Sequence, residues 1–252
     1  TAVGYLAGYA VTTGIQNTLV GSLAGDVLTD ADDNVAIGLS ALGGDTKGSR
    51  STAIGANALA VQNFTSSTDA NNTAVGYKAG NAITTGVQNV FIGNHAGDSL
   101  TDADFNVAIG YAALDADTLG SRSVAIGYNA LGTQNFSSAT ETGNTAVGFG
   151  AGGAVTTGTS NSIFGFEAGN NVTTGIQNTV IGSSAGDGIT TGVRNTALGF
   201  NALGGAVDDG NYNTCIGSDA GLLTTGSQNC FVGGYDPSTG GSGEAMTTGS
   251  KN

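Results

Sequence analysis

The stretches "GDVLTDADDN" (25–34) and "GDSLTDADFN" (97–106) carry carboxylates at matching points: Asp26, Asp30 and Asp32 in the first, Asp98, Asp102 and Asp104 in the second. Hard cations such as Ca²⁺ take several oxygen ligands, and an Asp-rich turn can supply them. Neither segment has the glycine spacing of calcium repeats, so the same acids also fit a solvated, negatively charged turn that keeps the chain soluble. Catalysis finds less to work with. The single histidine, His95, stands two positions after a glycine and reads as a surface residue, with no acid, base and nucleophile converging around it. The Gly-rich phrases lack the Lys-Ser or Lys-Thr of a phosphate loop. No enzyme is expected, and no cofactor beyond a Ca²⁺ ion.

Two further groups have types that matter. "QNFTSSTDANN" (62–72) and "QNFSSATETGN" (134–144) are longer than their neighbours and place Asn63 with Phe64, and Asn135 with Phe136, in polar surroundings. Such loops are expected to bulge outward, either as tolerated insertions or as contact loops in which an exposed aromatic anchors a neighbouring chain or receptor. Asn63 and Asn135 also begin N-x-S/T sequons, which allow glycosylation. Cys215 and Cys230 are candidates for a disulfide that an oxidising exterior would favour, while their one-place difference in register opposes it.

The elements that hold these residues follow from composition and period. Among 252 residues there are 45 glycines and no tryptophan, with 39% hydrophobic and 10% charged residues, so a core exists but is built from small side chains. Nineteen acidic against six basic residues give a formal net charge of −13, which repels phosphate backbones and anionic lipid. Nucleic acid is not an expected partner. No apolar run approaches the roughly 18 residues of a bilayer span, so no membrane insertion is expected of this segment.

A glycine after an aliphatic residue recurs at Gly4, Gly21, Gly38, Gly55, Gly76, Gly93, Gly110, Gly127, Gly148, Gly165, Gly182, Gly199, Gly217 and Gly233. The basic step is 17, with a step of 21 after every fourth coil early on, and later steps of 18 and 16. One repetitive all-β unit over 1–252 is expected, with super-repeats 1–72, 73–144 and 145–216 and an irregular end over 217–252. So short a period predicts a parallel β-roll or β-solenoid of about 17 residues per coil, each coil one turn of chain stacked on the next.

Within a coil, "NTAVG" and "NVAIG" read as a strand buried on both faces, branched residues on one and Ala with Gly on the other. The Ala three positions past each anchor glycine faces a tight interior. "TTG" reads as a turn whose glycine takes positive φ, and the Asn before each strand is expected to stack as a ladder. Arg50 should meet Asp33 one coil away, and Arg122 the ring of Phe105. A row of Thr eight positions past the anchor fits turn chemistry, or an ice-binding face. "TAVGY" opens in mid-phrase and "TTGSKN" supplies the missing Asn, which predicts a piece of a longer repetitive protein or a unit that docks head to tail.

"NTAVGYKAG", "NVAIGYAAL" and "SVAIGYNAL" resemble the head repeats of trimeric autotransporter adhesins of the YadA type, whose phrase is similar to N-S-x-A-I-G followed by a small residue. The resemblance implies a left-handed parallel β-roll, three copies around one axis, and adhesion to host matrix or cells from a bacterial surface. Similar repeats occur in phage tail fibres. The function expected is therefore an extracellular, non-catalytic segment of an adhesin head or fibre, a self-assembling rod displaying contact loops. Its partners would be itself, as homotrimer or head-to-tail polymer, and a host or cell-surface receptor; a phage tail-fibre shaft and an ice-binding solenoid are the alternatives.

Overall fold

The computed structural model describes residues 1–205, 210–222 and 226–234. Among these there is no helix; the chain is an all-β solenoid of parallel strands with about 17 residues per coil. It divides into two compact units, Thr1–Ser123 with Asn135–Thr140, and Val124–Gln134 with Glu141–Asn252.

In the first unit the strands Ala2–Val3, Thr18–Val20, Val35–Ile37, Thr52–Ile54, Thr73–Val75, Val90–Ile92 and Val107–Ile109 pair in that order, all parallel. In the second, Val124–Ile126, Thr145–Val147, Ser162–Phe164, Thr179–Ile181, Thr196–Leu198, Thr214–Ile216 and Cys230–Val232 do the same. Strand register is kept across the steps of 18 and 16: Thr196 faces Thr214 and Thr214 faces Cys230. Of the irregular end expected over 217–252, residues 223–225 and 235–252 lie outside the described residues.

Only one strand face is buried, which corrects the two-sided expectation. The central residue of each strand points inward, as Ala36, Ala53, Phe91, Ala108, Ile163 and Val180 do at 0% exposure, whereas the flanking branched residues remain half-exposed. Successive side chains along a strand alternate in direction, and a coil this thin has a single interior to fill. Ala three past the anchor is buried in both units, from Ala24 to Ala220. A third inward position, seven past the anchor, holds Leu28, Ile83, Leu100, Val155, Val172 and Ile189.

The interior balances volume between positions. Where the central residue is large (Leu19, Phe91, Ile163, Val180), the place four past the anchor is Gly25, Gly97, Gly169 or Gly186; where that place is Leu42, Leu59, Leu114, Leu131 or Leu203, the central residue is Ala. A Cβ on Gly97 would stand 2.5 Å from the ring of Phe91. The five leucines fill the same space from a left-handed backbone, at φ 49° to 54°, a conformation L-residues adopt at a cost.

The anchor glycine and, in the coils that have it, the TTG glycine are held by close backbone approach. Anchor Gly38 sits at φ +135°, and a Cβ there would strike the backbone of Gly55 one coil on. The TTG glycine does not take positive φ: at Gly14 and Gly86 the constraint is contact, because a Cβ would collide with the carbonyl of Ala31 or Ala103. The left-handed residue is instead the one before the ladder Asn, such as Gln16, Gln88 or Gln177.

The Asn ladder forms in both units, and its bonds run mainly through backbone. The N–H of Asn106 donates to Oδ1 of Asn89 at 2.8 Å, while Nδ2 of Asn89 donates to the carbonyl of Ala103 at 2.7 Å. Each buried amide thereby satisfies peptide groups of the following coil that water cannot reach. Where the ladder residue is Ser51, Gln62 takes over: its Nε2 donates to Ser51 Oγ (3.2 Å) and to Asp45 Oδ2 (2.6 Å), and its Oε1 accepts from Asn72.

Candidate functional site

The expected Asp triads do not gather. Asp104 Oδ1 accepts the N–H of Val87 at 2.7 Å and Asp32 Oδ1 that of Ile15 at 2.7 Å, while their own N–H groups donate to Ser121 Oγ and Ser49 Oγ. These two acids cap strand-like backbone that lacks a ladder partner at the corner. Asp102 accepts from the Thr85 hydroxyl (2.6 Å) and Asp30 from that of Thr29 (3.1 Å), both at the exposed surface. Asp26 is half-buried one corner away. Among the described residues, neither set of three Asp brings its carboxylates within 4.8 Å of one another as a trio, whereas Ca²⁺ takes about six to eight oxygens.

Asp98 finds other company. Its Oδ2 lies 2.8 Å from Nδ1 of His95, and Asp115, at the same place one coil on, completes a trio whose ligand atoms are all within 4.8 Å of one another. His95 is not the free surface imidazole that its isolation in sequence suggests: its side chain is 31% exposed and its ring sits between Tyr77 (5.4 Å) and Tyr111 (6.3 Å), edge to face. Burial first, and then the neighbouring Asp98 charge, push the Asp115 carboxyl above its ordinary range, partly offset by His95. Burial followed by Glu167 does the same to Asp187.

The longer loops invert their expected polarity. Phe64 and Phe136 are buried, at 6% and 7% exposure, and Asn63 and Asn135 are exposed. The N–H of Phe64 donates to Asp45 Oδ1 (3.1 Å), its carbonyl accepts from the Thr46 hydroxyl (2.8 Å), and its ring lies against Gly48; Phe136 donates likewise to Asp117 and accepts from Thr118. Asp45 and Asp117 accept the N–H groups of these phenylalanines, so each ring is buried without leaving its peptide donor unpaired. What the insertions expose is small and mostly polar: Thr65, Ser66 and Ser67 in one, Ser137, Ser138 and Ala139 in the other. Phe64 and Phe136 are therefore no contact anchors.

The cysteines are both free, which corrects the disulfide candidate. Cys215 is a buried strand centre paired with Phe231, and Cys230 is an exposed flanking residue paired with Thr214, so the thiols point to opposite faces. The basic residues behave as expected: Arg50 lies 3.9 Å from Asp33, although 2.6 Å from Asp69, and Arg122 stands 5.6 Å over the ring of Phe105. In the Thr row, hydroxyls turn inward along the stack. Thr29 donates to the Thr46 carbonyl at 3.0 Å and Thr101 to that of Thr118 at 3.1 Å, as turn chemistry requires.

The feature that sequence reading missed is a surface. The half-exposed strand residues Ile37 (37%), Ile92 (39%) and Ile181 (38%) stack with those of neighbouring coils, and beside them, just past the anchor, stand Tyr77, Tyr111, Phe149 and Phe166. Tyr128, Phe149 and Phe166 stack nearly parallel at 4.8 and 5.3 Å. No Asp, Glu, Lys or Arg occupies either row in either unit. Alternation of strand residues carries the signal, but alternation alone does not tell a wet second face from a buried one. Comparison with family models, curated proteins and solved structures finds no match to the chain.

Proposed function

We propose that this chain is a non-catalytic structural and adhesive segment of an extracellular fibre or adhesin head, whose copies associate through the apolar stripe and present corners and polar loops outward. The stripe is the observation that supports it. A row of partly exposed apolar strand residues, one per coil, with an aromatic beside it in several coils, marks an interaction surface. They are uncharged on a chain of formal net charge −13, so this is the face where two copies approach with least repulsion. Its side chains recur once per coil, and a partner with the same spacing is a second copy of this chain. The likeness of "NVAIGYAAL" to YadA-type head repeats adds the expectation of three copies on a bacterial surface.

Sedimentation of the purified chain at micromolar concentration tests assembly. Trimers are expected, and Ile92→Glu with Ile181→Glu should give monomers with unchanged circular dichroism; a wild-type monomer throughout would sink the self-association. Adhesion is read separately, as retention of chain-coated beads on collagen- or fibronectin-coated surfaces that uncoated beads do not show. Assembly without retention would reduce the function to a fibre segment.

A further inference from the structure

We propose that His95, Asp98 and Asp115 form a binding site for a divalent transition metal of the zinc class, bridging two successive coils. Among the described residues no other trio of His, Cys, Asp or Glu brings its ligand atoms within 4.8 Å of one another. The fold makes the corner: His95 is left-handed at φ 58°, which turns the chain so that Asp98, three residues on, returns to the imidazole. Stacking supplies the third group, since the N–H of Ser99 donates to the carbonyl of Asp115 and so aligns the two acids coil on coil. Tyr77 and Tyr111 hold the ring between them.

A second observation is independent of the clustering. Oδ1 of Asp98 is buried without a hydrogen-bond partner, although its side chain is only 20% exposed overall and carries a charge. An ionised oxygen without a donor is costly, and a second carboxylate beside it adds repulsion. Among the described residues the one salt-bridge contact of either acid is that of Asp98 with the His95 imidazole, which is ionic only when the ring is protonated. Lys78, at the place of His95 one coil earlier, lies over the Tyr77 ring at 5.7 Å. A bound cation would relieve both penalties. An imidazole with two carboxylates suits Zn²⁺, with bonds of about 2.0–2.2 Å, better than Ca²⁺, which takes about six to eight oxygens. Three protein ligands leave a position for water.

Isothermal titration calorimetry of the full chain with Zn²⁺, and in parallel with Ca²⁺, tests the site. One Zn²⁺ per chain is expected, with a rise in melting temperature because the ion binds only the folded coils. His95→Asn and Asp115→Ala should each weaken binding about tenfold or more and remove the thermal shift. Both variants keep the coil: Asn57 and Asn129 occupy the His95 place at φ 58° and 53°, and Ala60 occupies that of Asp115. Absence of saturable Zn²⁺ binding would overturn the proposal. So would binding that both variants retain, or Ca²⁺ binding as tightly as Zn²⁺.

Discussion

Phe64 and Asn63 sit side by side, yet the ring goes in and the amide out, because Asp45 offers Phe64 a buried acceptor for its N–H. Cys215 and Cys230 illustrate the same point with a measurable consequence. Burial, and then the nearby Cys230, push the Cys215 thiol up from 9.0 to about 12. The folded state therefore prefers the neutral thiol: its contribution to stability is full below about pH 9, where the unfolded thiol is still protonated, and is lost as pH rises from there towards 12. Alkylation at mild alkaline pH should modify Cys230 in the native protein and Cys215 only after denaturation. Equal rates for both would contradict the burial of Cys215.

The coil is the element, and its interior works by exchange of volume between the strand centre and the place four past the anchor. Phe91→Ala should cost about 3–5 kcal/mol, by lost burial plus the cavity left behind. Adding Gly97→Leu should restore a large part, since Leu42 and Leu114 occupy that place at φ 52° and 54° in coils whose centre is Ala. Urea unfolding of the single and double variants checks this. A double variant less stable than Phe91→Ala would show that the two places do not share one space. The same logic explains the acids at the corners. Asp32 and Asp104 serve backbone N–H groups of the preceding coil, so their spacing in sequence reflects capping rather than ion binding.

For the whole molecule, charge and repetition pull against each other. Nineteen acidic residues on 252 repel within every conformation, and most strongly in the folded one, where coils bring like charges close. Raising salt shortens the screening length from about 30 Å at 0.01 M to about 10 Å at 0.1 M. The melting temperature of the chain should therefore rise over that range, by a few degrees. A fall would mean that ion pairs such as Arg50 with Asp69 outweigh the repulsion. Assembly through the stripe should strengthen under the same change, because the uncharged face is held apart only by the acids around it.

Periodicity in the residues was enough to determine the parallel solenoid, the coil length, the Asn ladder and the inward Ala, because each is imposed by identical backbone stacked on itself. The pairing of Arg122 with Phe105 was legible for the same reason: a shared place in the repeat means contact one coil away. Tertiary structure alone decided which strand face was wet, since alternation cannot say whether a second layer covers the branched side. It alone turned Phe64 and Phe136 inward, where a buried Asp drew their N–H groups, and set the two cysteines on opposite faces. It also drew Asp98 away from Asp102 and Asp104 toward His95 and Asp115. That trio depends on a left-handed corner and on the stacking of one coil upon the next, which residue types at their sequence spacing do not express.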